Sequence, residues 1–297
     1  MYSLTEVDED NLSLFTHLLP NKYAPYLVQK LQNKDLPLII LGAELLGQLV
    51  GVITGFFDTK NEQICHINFL FVLPKHRGFG IGKLLLKACE HKARKKGCTK
   101  IKISYNFKHQ EKMKDIFADF LVCQNWSKPE LDLTTFYIRD KKITEQKWFN
   151  IDPPVDYNLV LFKDVTQDDK TFILANKTTD FINPFNLDDP DELTSLVLRD
   201  NLDNKIVGWM VNTFFEHNLY FGRLFINPKN RNMRLFLSLL ANSIWLGFEN
   251  YSPKTTCAIF QVAGRNLKMR RVCFKLLGSL CEKIIESYAS TKKLRYI

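Results

Sequence analysis

Residues 73–92, LPKHRGFGIGKLLLKACEHK, set Gly78, Gly80 and Gly82 within five positions and run directly into an apolar-periodic stretch. Glycines at a helix start expose main-chain N–H groups that have no intrahelical partner, and the helix dipole adds partial positive charge to them. Without a Cβ in the way, such a turn can take up a phosphate or another anion. Two familiar glycine patterns fail here by position. A phosphate loop of the G-x-x-x-x-G-K-[ST] kind needs Ser or Thr after Gly82-Lys83, where Leu84 stands, and glycine where Arg77 stands. A G-x-G-x-x-G dinucleotide fingerprint needs glycine at Lys83 and an acid about 20 residues on, where KIKIS lies.

The elements that must position this turn follow from period and breakers. A strand is expected at YSLTEV (2–7), with helical stretches at 9–19 and 23–32. LIILGAE and QLVGVITGFF form a hairpin about Gly47, and QICHINFLFV is a third strand. From Ile81 a helix places Ile81, Leu84, Leu85, Ala88 and Cys89 on one face. KIKISYN as strand, KDIFADFLVCQ as helix and LDLTTFYIR as strand follow. The strands at 63–73 and 100–106 should be parallel, because a right-handed crossover helix joins them, which makes the sheet mixed α/β. The polar stretch 139–158, closed by Pro153-Pro154, divides the chain into domains at 1–145 and 146–297. GQLVGVITGFF (47–57) is echoed by NKIVGWMVNTFF (204–215), and INFLFVLPKHR (67–77) by GRLFINPKNR (222–231). A separation of about 155 residues means two copies of one domain. In the second copy Asn232, Arg234 and Phe236 replace the three glycines, and their side chains would fill the space an anion needs.

Arg77-x-x-Gly80-x-Gly82, preceded by Val72-x-Pro74, resembles the acyl-CoA pyrophosphate loop of the GNAT superfamily of N-acetyltransferases, and the order of elements from about 2 to 140 agrees with it. The resemblance implies an α/β fold of two tandem GNAT-like domains. Each is a mixed, mostly antiparallel sheet with a parallel strand 4/strand 5 pair flanked by helices, the first copy working and the second degenerate. It implies acetyl-CoA as co-substrate, its pyrophosphate held by the N–H groups of Arg77, Gly78, Phe79, Gly80, Ile81, Gly82 and Lys83. The strand carrying Leu70 and Val72 would pair with the pantetheine arm. Lys83 and Lys87 would reach outer phosphates, or Lys87 simply belongs to a solvated face.

The implied reaction is direct attack of a primary amine on the thioester. The ammonium, of pKa about 10.4, must lose its proton, while a thiol of pKa about 8.5 can depart as the anion. A strand N–H near Leu70 to Val72 would donate to the oxyanion. Relatives carry a glutamate base eleven residues before the loop arginine, where this chain has His66. An imidazole of ordinary pKa near 6.5 suits that task. Alternation sends His66, Asn68, Leu70 and Val72 to one face and Cys65 to the other, so Cys65-His66 is no nucleophile pair. A hydrogen-bonded strand histidine is the equal alternative. The family's tyrosine acid falls on Leu121, counted back from Asn125-Trp126, which leaves Tyr105 and Tyr137 as substitutes or as packing residues. Tyr23 and Tyr26, in PNKYAPYL, would wall the acceptor site or merely pack.

Composition narrows the classes. The formal charge of +9 includes eleven Lys or Arg between Lys83 and Lys114 against Glu90 and Glu111, a solvated face in preference to a nucleic-acid surface, since no RNP motif or zinc finger accompanies it. No apolar run approaches the ~20 residues that span a bilayer. Seven cysteines without C-x-x-C spacing read as reduced thiols, no metal site is expected, and the cytoplasm is the expected compartment. Three readings stand: an acetyl-CoA-dependent N-acetyltransferase of a small-molecule or peptide amine, a non-catalytic acyl-CoA-binding or interaction module, and, last, a nucleic-acid binder. The protein is expected as a monomer, a pseudo-dimer of its two domains, or as a homodimer.

Overall fold

The apolar alternation and turn signals of residues 38–138 become strands and helices in the order expected, whereas most of the helical stretch expected at 23–32 lies outside the described residues. A computed structural model describes residues 2–8, 10–20, 25, 27, 29, 38–58, 61, 63–139, 141–177, 182–186, 189–251 and 257–294. In chain order the elements are β1 (Tyr2–Glu6), α1 (Leu12–Phe15), β2 (Leu38–Leu45), β3 (Gln48–Phe57), β4 (Ile64–Val72), α2 (Ile81–Lys95), β5 (Lys100–Lys108), α3 (Met113–Cys123) and β6 (Glu130–Ile138). The second half follows with β7 (Tyr157–Leu161), α4 (Gln167–Ala175), β8 (Leu196–Asp200), β9 (Ile206–Phe215), β10 (Asn218–Ile226), α5 (Met233–Asn250), β11 (Cys257–Ala263), α6 (Leu267–Leu277) and β12 (Lys283–Lys293).

The chain forms two compact units. The first comprises Met1–Asp132 and Ser287–Ile297, the second Leu133–Glu286. Strand order in the first is β1-β2-β3-β4-β5-β12, antiparallel from β1 to β4 and parallel at β4/β5, as the crossover helix requires. In the second it is β6-β11-β10-β9-β8-β7, with β10/β11 parallel. Each copy is thus the same mixed sheet, completed by the last strand of the other copy. The division read from the linker, 1–145 and 146–297, follows the sequence repeat, whereas the compact units follow this exchange.

Apolar burial explains the layers. In the first unit Ile53, Ile67, Ile101 and Ile103 pack against Ile81, Leu85 and Cys89 of α2. Val7, Leu12, Phe15, Ile40 and Val52 fill the opposite face. The helix expected at 9–19 shrinks to α1 and a 3-10 turn at Thr16–Leu18. Tyr23 and Tyr26 lie outside the described residues. All seven cysteines are free thiols, five of them buried. Among the described residues no helix is long and apolar enough to cross a membrane, and no group of three or more His, Cys, Asp or Glu could hold a metal.

Candidate functional site: a splayed strand pair and an uncapped helix

The site begins with a bulge. Thr54 pairs with Phe69 but Gly55 with Ile67, so Asn68 is the extra residue on β4. One inserted residue inverts the alternation beyond it. Leu70 and Val72 consequently pack on the same side as Cys65 and Ile67, toward α2, while Phe69 and Phe71 join the opposite core. This corrects the reading that put His66, Asn68, Leu70 and Val72 on one face. His66 stays on the face away from α2, its ring stacked on Phe56 at 5.1 Å and its Nε2 3.1 Å from Asp58 Oδ2. The bulge side chain accepts from Thr54 Oγ1 at 2.9 Å.

Pairing of β4 with β5 runs from Ile64↔Lys100 to Ile67↔Ile103 and stops at the bulge. Past it the strands splay, and a cavity of about 720 Å³ opens between Asn68–Val72 and Ile103–Phe107, within the usual range of ligand sites. Its apolar floor includes Phe107, Phe117 and Phe120, which the sequence reading did not single out.

At one end of the cavity stands the helix start. Gly78 and Gly80 adopt φ of +83° and +82°, a left-handed conformation that L side chains rarely take. At Gly82 the constraint is one of space instead: a Cβ there would lie 3.3 Å from the Phe120 ring, closer than side chains ordinarily approach. No side chain caps the helix at Gly80, and the first amide to bond within it is that of Leu84, to Gly80 O at 3.0 Å. The amides from Gly78 to Lys83 therefore have no hydrogen-bond partner among the described residues. Arg77 departs from expectation, because its amide already donates to Pro74 O at 3.2 Å and its Nε to Val72 O at 3.1 Å. It holds the turn to the end of β4. Phe79 turns its ring outward, 68% exposed, and contributes its amide alone.

The other expected residues divide. Asn68, Leu70, Val72, Arg77, Gly78, Gly80, Ile81, Gly82, Lys83 and Tyr105 all line the cavity, whereas His66 and Phe79 do not. Tyr137 belongs to the second unit, beneath the Lys283 ammonium at 4.3 Å, because β6 completes that sheet. Tyr105 presents its ring, stacked on Tyr288 at 5.8 Å and met edge-on by Phe117 at 4.7 Å. Burial pushes its phenol up to about 12, so it stays protonated at neutral pH, yet its hydroxyl is shut from solvent and unpartnered. His76, missed in the sequence because nothing distinguishes it from a turn residue, also lines the cavity and has a buried, unpartnered Nε2.

Glu90 escaped notice for the opposite reason, being a carboxylate on the apolar side of α2. It is buried and accepts from Trp126 Nε1 at 3.1 Å and from Lys292 Nζ at 2.9 Å through both oxygens. Lys292 spends its third proton on Gln124 O at 2.8 Å. Every polar atom of the pair is satisfied, the condition under which a buried ion pair is tolerated. The last strand of the chain is thereby fastened to the helix that starts at the glycine turn.

The second unit repeats the scaffold and omits the site. Its bulge falls at Gly222, its parallel pairing ends at Phe221↔Phe260, and Arg231 Nε donates to Ile226 O at 3.0 Å. At the helix start, Asn232 accepts from the Leu235 amide at 2.9 Å, and Phe236, at the position of Gly82, packs into the core.

Residues 4–117 match the model of the acetyltransferase (GNAT) family. No curated protein matches the sequence. Among solved structures, a tandem GNAT protein from the clavulanic acid biosynthesis pathway, without AcCoA, is 12% identical with a TM-score of 0.61 over 100% of both chains. A GCN5-related N-acetyltransferase from Sphaerobacter thermophilus gives the same identity and score over 99% of this chain and 96% of its own. At such identity these likenesses speak for the fold. The family match covers residues 4–117, and over its whole length the chain shares the fold of these two solved structures.

Proposed function

We propose that the first unit binds acetyl-CoA and that the protein is an N-acetyltransferase, passing the acetyl group to a primary amine of a small molecule or peptide. The observation that carries this reading is the run of unpartnered amides from Gly78 to Lys83, five of whose six residues line a cavity built on a splayed strand. The residues present fit the group. The amides suit a diphosphate, the β4 edge beyond Ile67 offers main-chain groups to an amide-bearing arm, and the apolar floor suits its methylenes. Bound there, the coenzyme supplies an activated thioester. The chain's own part is to orient it and to offer β4 amides to the charge that develops on the acyl oxygen.

His66 is the proposed base. With Nε2 held by Asp58, its Nδ1 is the nitrogen left to take the amine's proton. The leaving thiolate needs no acid, so the sealed hydroxyl of Tyr105 is no obstacle. Acetyl-CoA should raise the melting temperature of the protein, and an amine panel should release free thiol. His66→Ala should lower kcat and leave coenzyme affinity unchanged. Binding without thiol release from any amine would leave a non-catalytic acyl-CoA module, and no binding would remove both.

A further inference from the structure

Cys65 and Ile67 of β4 and Ile101 and Ile103 of β5 pack toward α2. Alternation therefore turns His66 on β4, and Lys100, Lys102 and Ser104 on β5, to the other face of the sheet. In the parallel ladder His66 stands opposite Lys102, and Ile64 opposite Lys100. Neighbouring strands lie about 4.8 Å apart, so the imidazole and the Lys102 side chain share one patch of that face. Ser104, the next residue of β5 on the same side, already lines the main cavity. An amine that gives its proton to His66 and attacks a thioester held in the splay comes from this face, beside Lys102.

The charge of the patch is one-sided. Strands β3, β4 and β5 contain no acidic residue. Asp58, which follows β3, has its Oδ2 3.1 Å from His66 Nε2. Lys102 is half-buried and Lys100 exposed, and neither side chain has a hydrogen-bond or ion-pair partner among the described residues. The scaffold does not demand a cation here, because the corresponding rung of the second unit is Tyr220↔Ile259, with Ile259 buried. A half-buried ammonium with no acid beside it is completed by an anion from outside.

We propose that Lys102, with Lys100 further from the splay, receives a negatively charged group of the acceptor, so that the amine acetylated also bears a carboxylate or a phosphate. Polyamines are then poor acceptors. The proposal rests on the transferase reading above and narrows its acceptor. The bonds exchanged are those of that reading: the amine nitrogen joins the acetyl carbon, the carbon–sulfur bond breaks with its electron pair leaving on sulfur, and the amine's proton passes to His66.

Thiol release by the full chain with matched acceptors tests it: γ-aminobutyrate against its amide, ethanolamine phosphate against ethanolamine, and putrescine. The two lysines should favour each acid over its neutral partner by about tenfold in kcat/KM, and the preference should shrink with added salt. The pair with the larger ratio identifies the anionic group. Lys102→Gln should raise KM for the acids about fivefold, and change that of the neutral amines by less than about twofold. Calorimetric titration of the same acceptors into the coenzyme A complex should show the same order without turnover. Equal use of acid and neutral partner, or a Lys102→Gln loss of the same size on both, would overturn the proposal and leave the transferase standing. Thiol release from no amine, with acetyl-CoA still bound, removes the transferase reading and this one with it.

Discussion

The turn after Pro74 and the turn after Pro228 share one local plan and differ at the helix start. Both follow a bulged strand, both pass through a 3-10 turn, and both are tied back by an arginine Nε to the carbonyl that ends the strand. The first then enters its helix through two glycines at positive φ and leaves its amides bare. The second enters in extended conformation with Asn232 as cap. A capped helix stabilises its own fold, whereas an uncapped one leaves donors for a ligand. Retention of the arginine tie in the copy without glycines also assigns that side chain to the scaffold.

Substitutions can break or sharpen this contrast. The largest effect is expected where the first copy carries a buried ion pair and the second an apolar residue, since Glu90 occupies the helical position that Ile244 fills on α5. Lys292→Met strands the Glu90 carboxylate and should cost about 3–5 kcal/mol in urea unfolding, most of which the double variant Glu90→Leu/Lys292→Met recovers. A single variant as stable as wild type would mean that the pair fastens nothing. Next comes Gly80→Glu, which sets a carboxylate among the amides in a left-handed conformation. It should weaken coenzyme binding at least about 100-fold and erase the thermal shift, while Arg234→Glu in the second copy leaves the shift intact. A shift that survives Gly80→Glu would place the ligand elsewhere.

Arg77→Ala and Arg231→Ala should each cost about 1 kcal/mol, and near-equal losses by chemical denaturation are what a shared scaffold role demands. Asn232→Ala should cost about 1 kcal/mol through the lost cap. The smallest effect concerns α4, whose capping box at Thr166 and Asp169 has no counterpart at the uncapped α1. The Arg199 guanidinium, 2.8 Å away, holds the Asp169 carboxyl below its ordinary value. A depressed carboxyl contributes stability above its unfolded pKa, about 3.9, and loses it as pH falls through the folded value. Asp169→Asn should therefore differ from wild type near neutrality and converge with it on acidification below about pH 4, as followed by melting temperature against pH.

Much of this was legible in the residues. Period two and period 3.6 placed most strands and helices, the Pro-Lys-x-Arg repeat disclosed the second copy, and three glycines marked the bare helix start, as their absence marked the different one in the second copy. Position along the chain says nothing, however, about which sheet receives a strand. LDLTTFYIR was correctly a strand, but it completes the second unit, and Tyr137 goes with it. Glu90 read as one more charge until Lys292, about 200 residues on, was brought beside it.

What the sequence determined by itself is local: which segments extend, which coil, and where the backbone must turn left-handed, because dihedral preference and amphipathic period act over a few residues. What the tertiary structure alone decided depends on distant partners. The bulge at Asn68, which inverts the face of Leu70 and Val72, arises from how β3 and β4 keep register. The splay of β4 from β5 and the strand exchange arise likewise from pairing between remote segments, and no residue's own chemistry announces them.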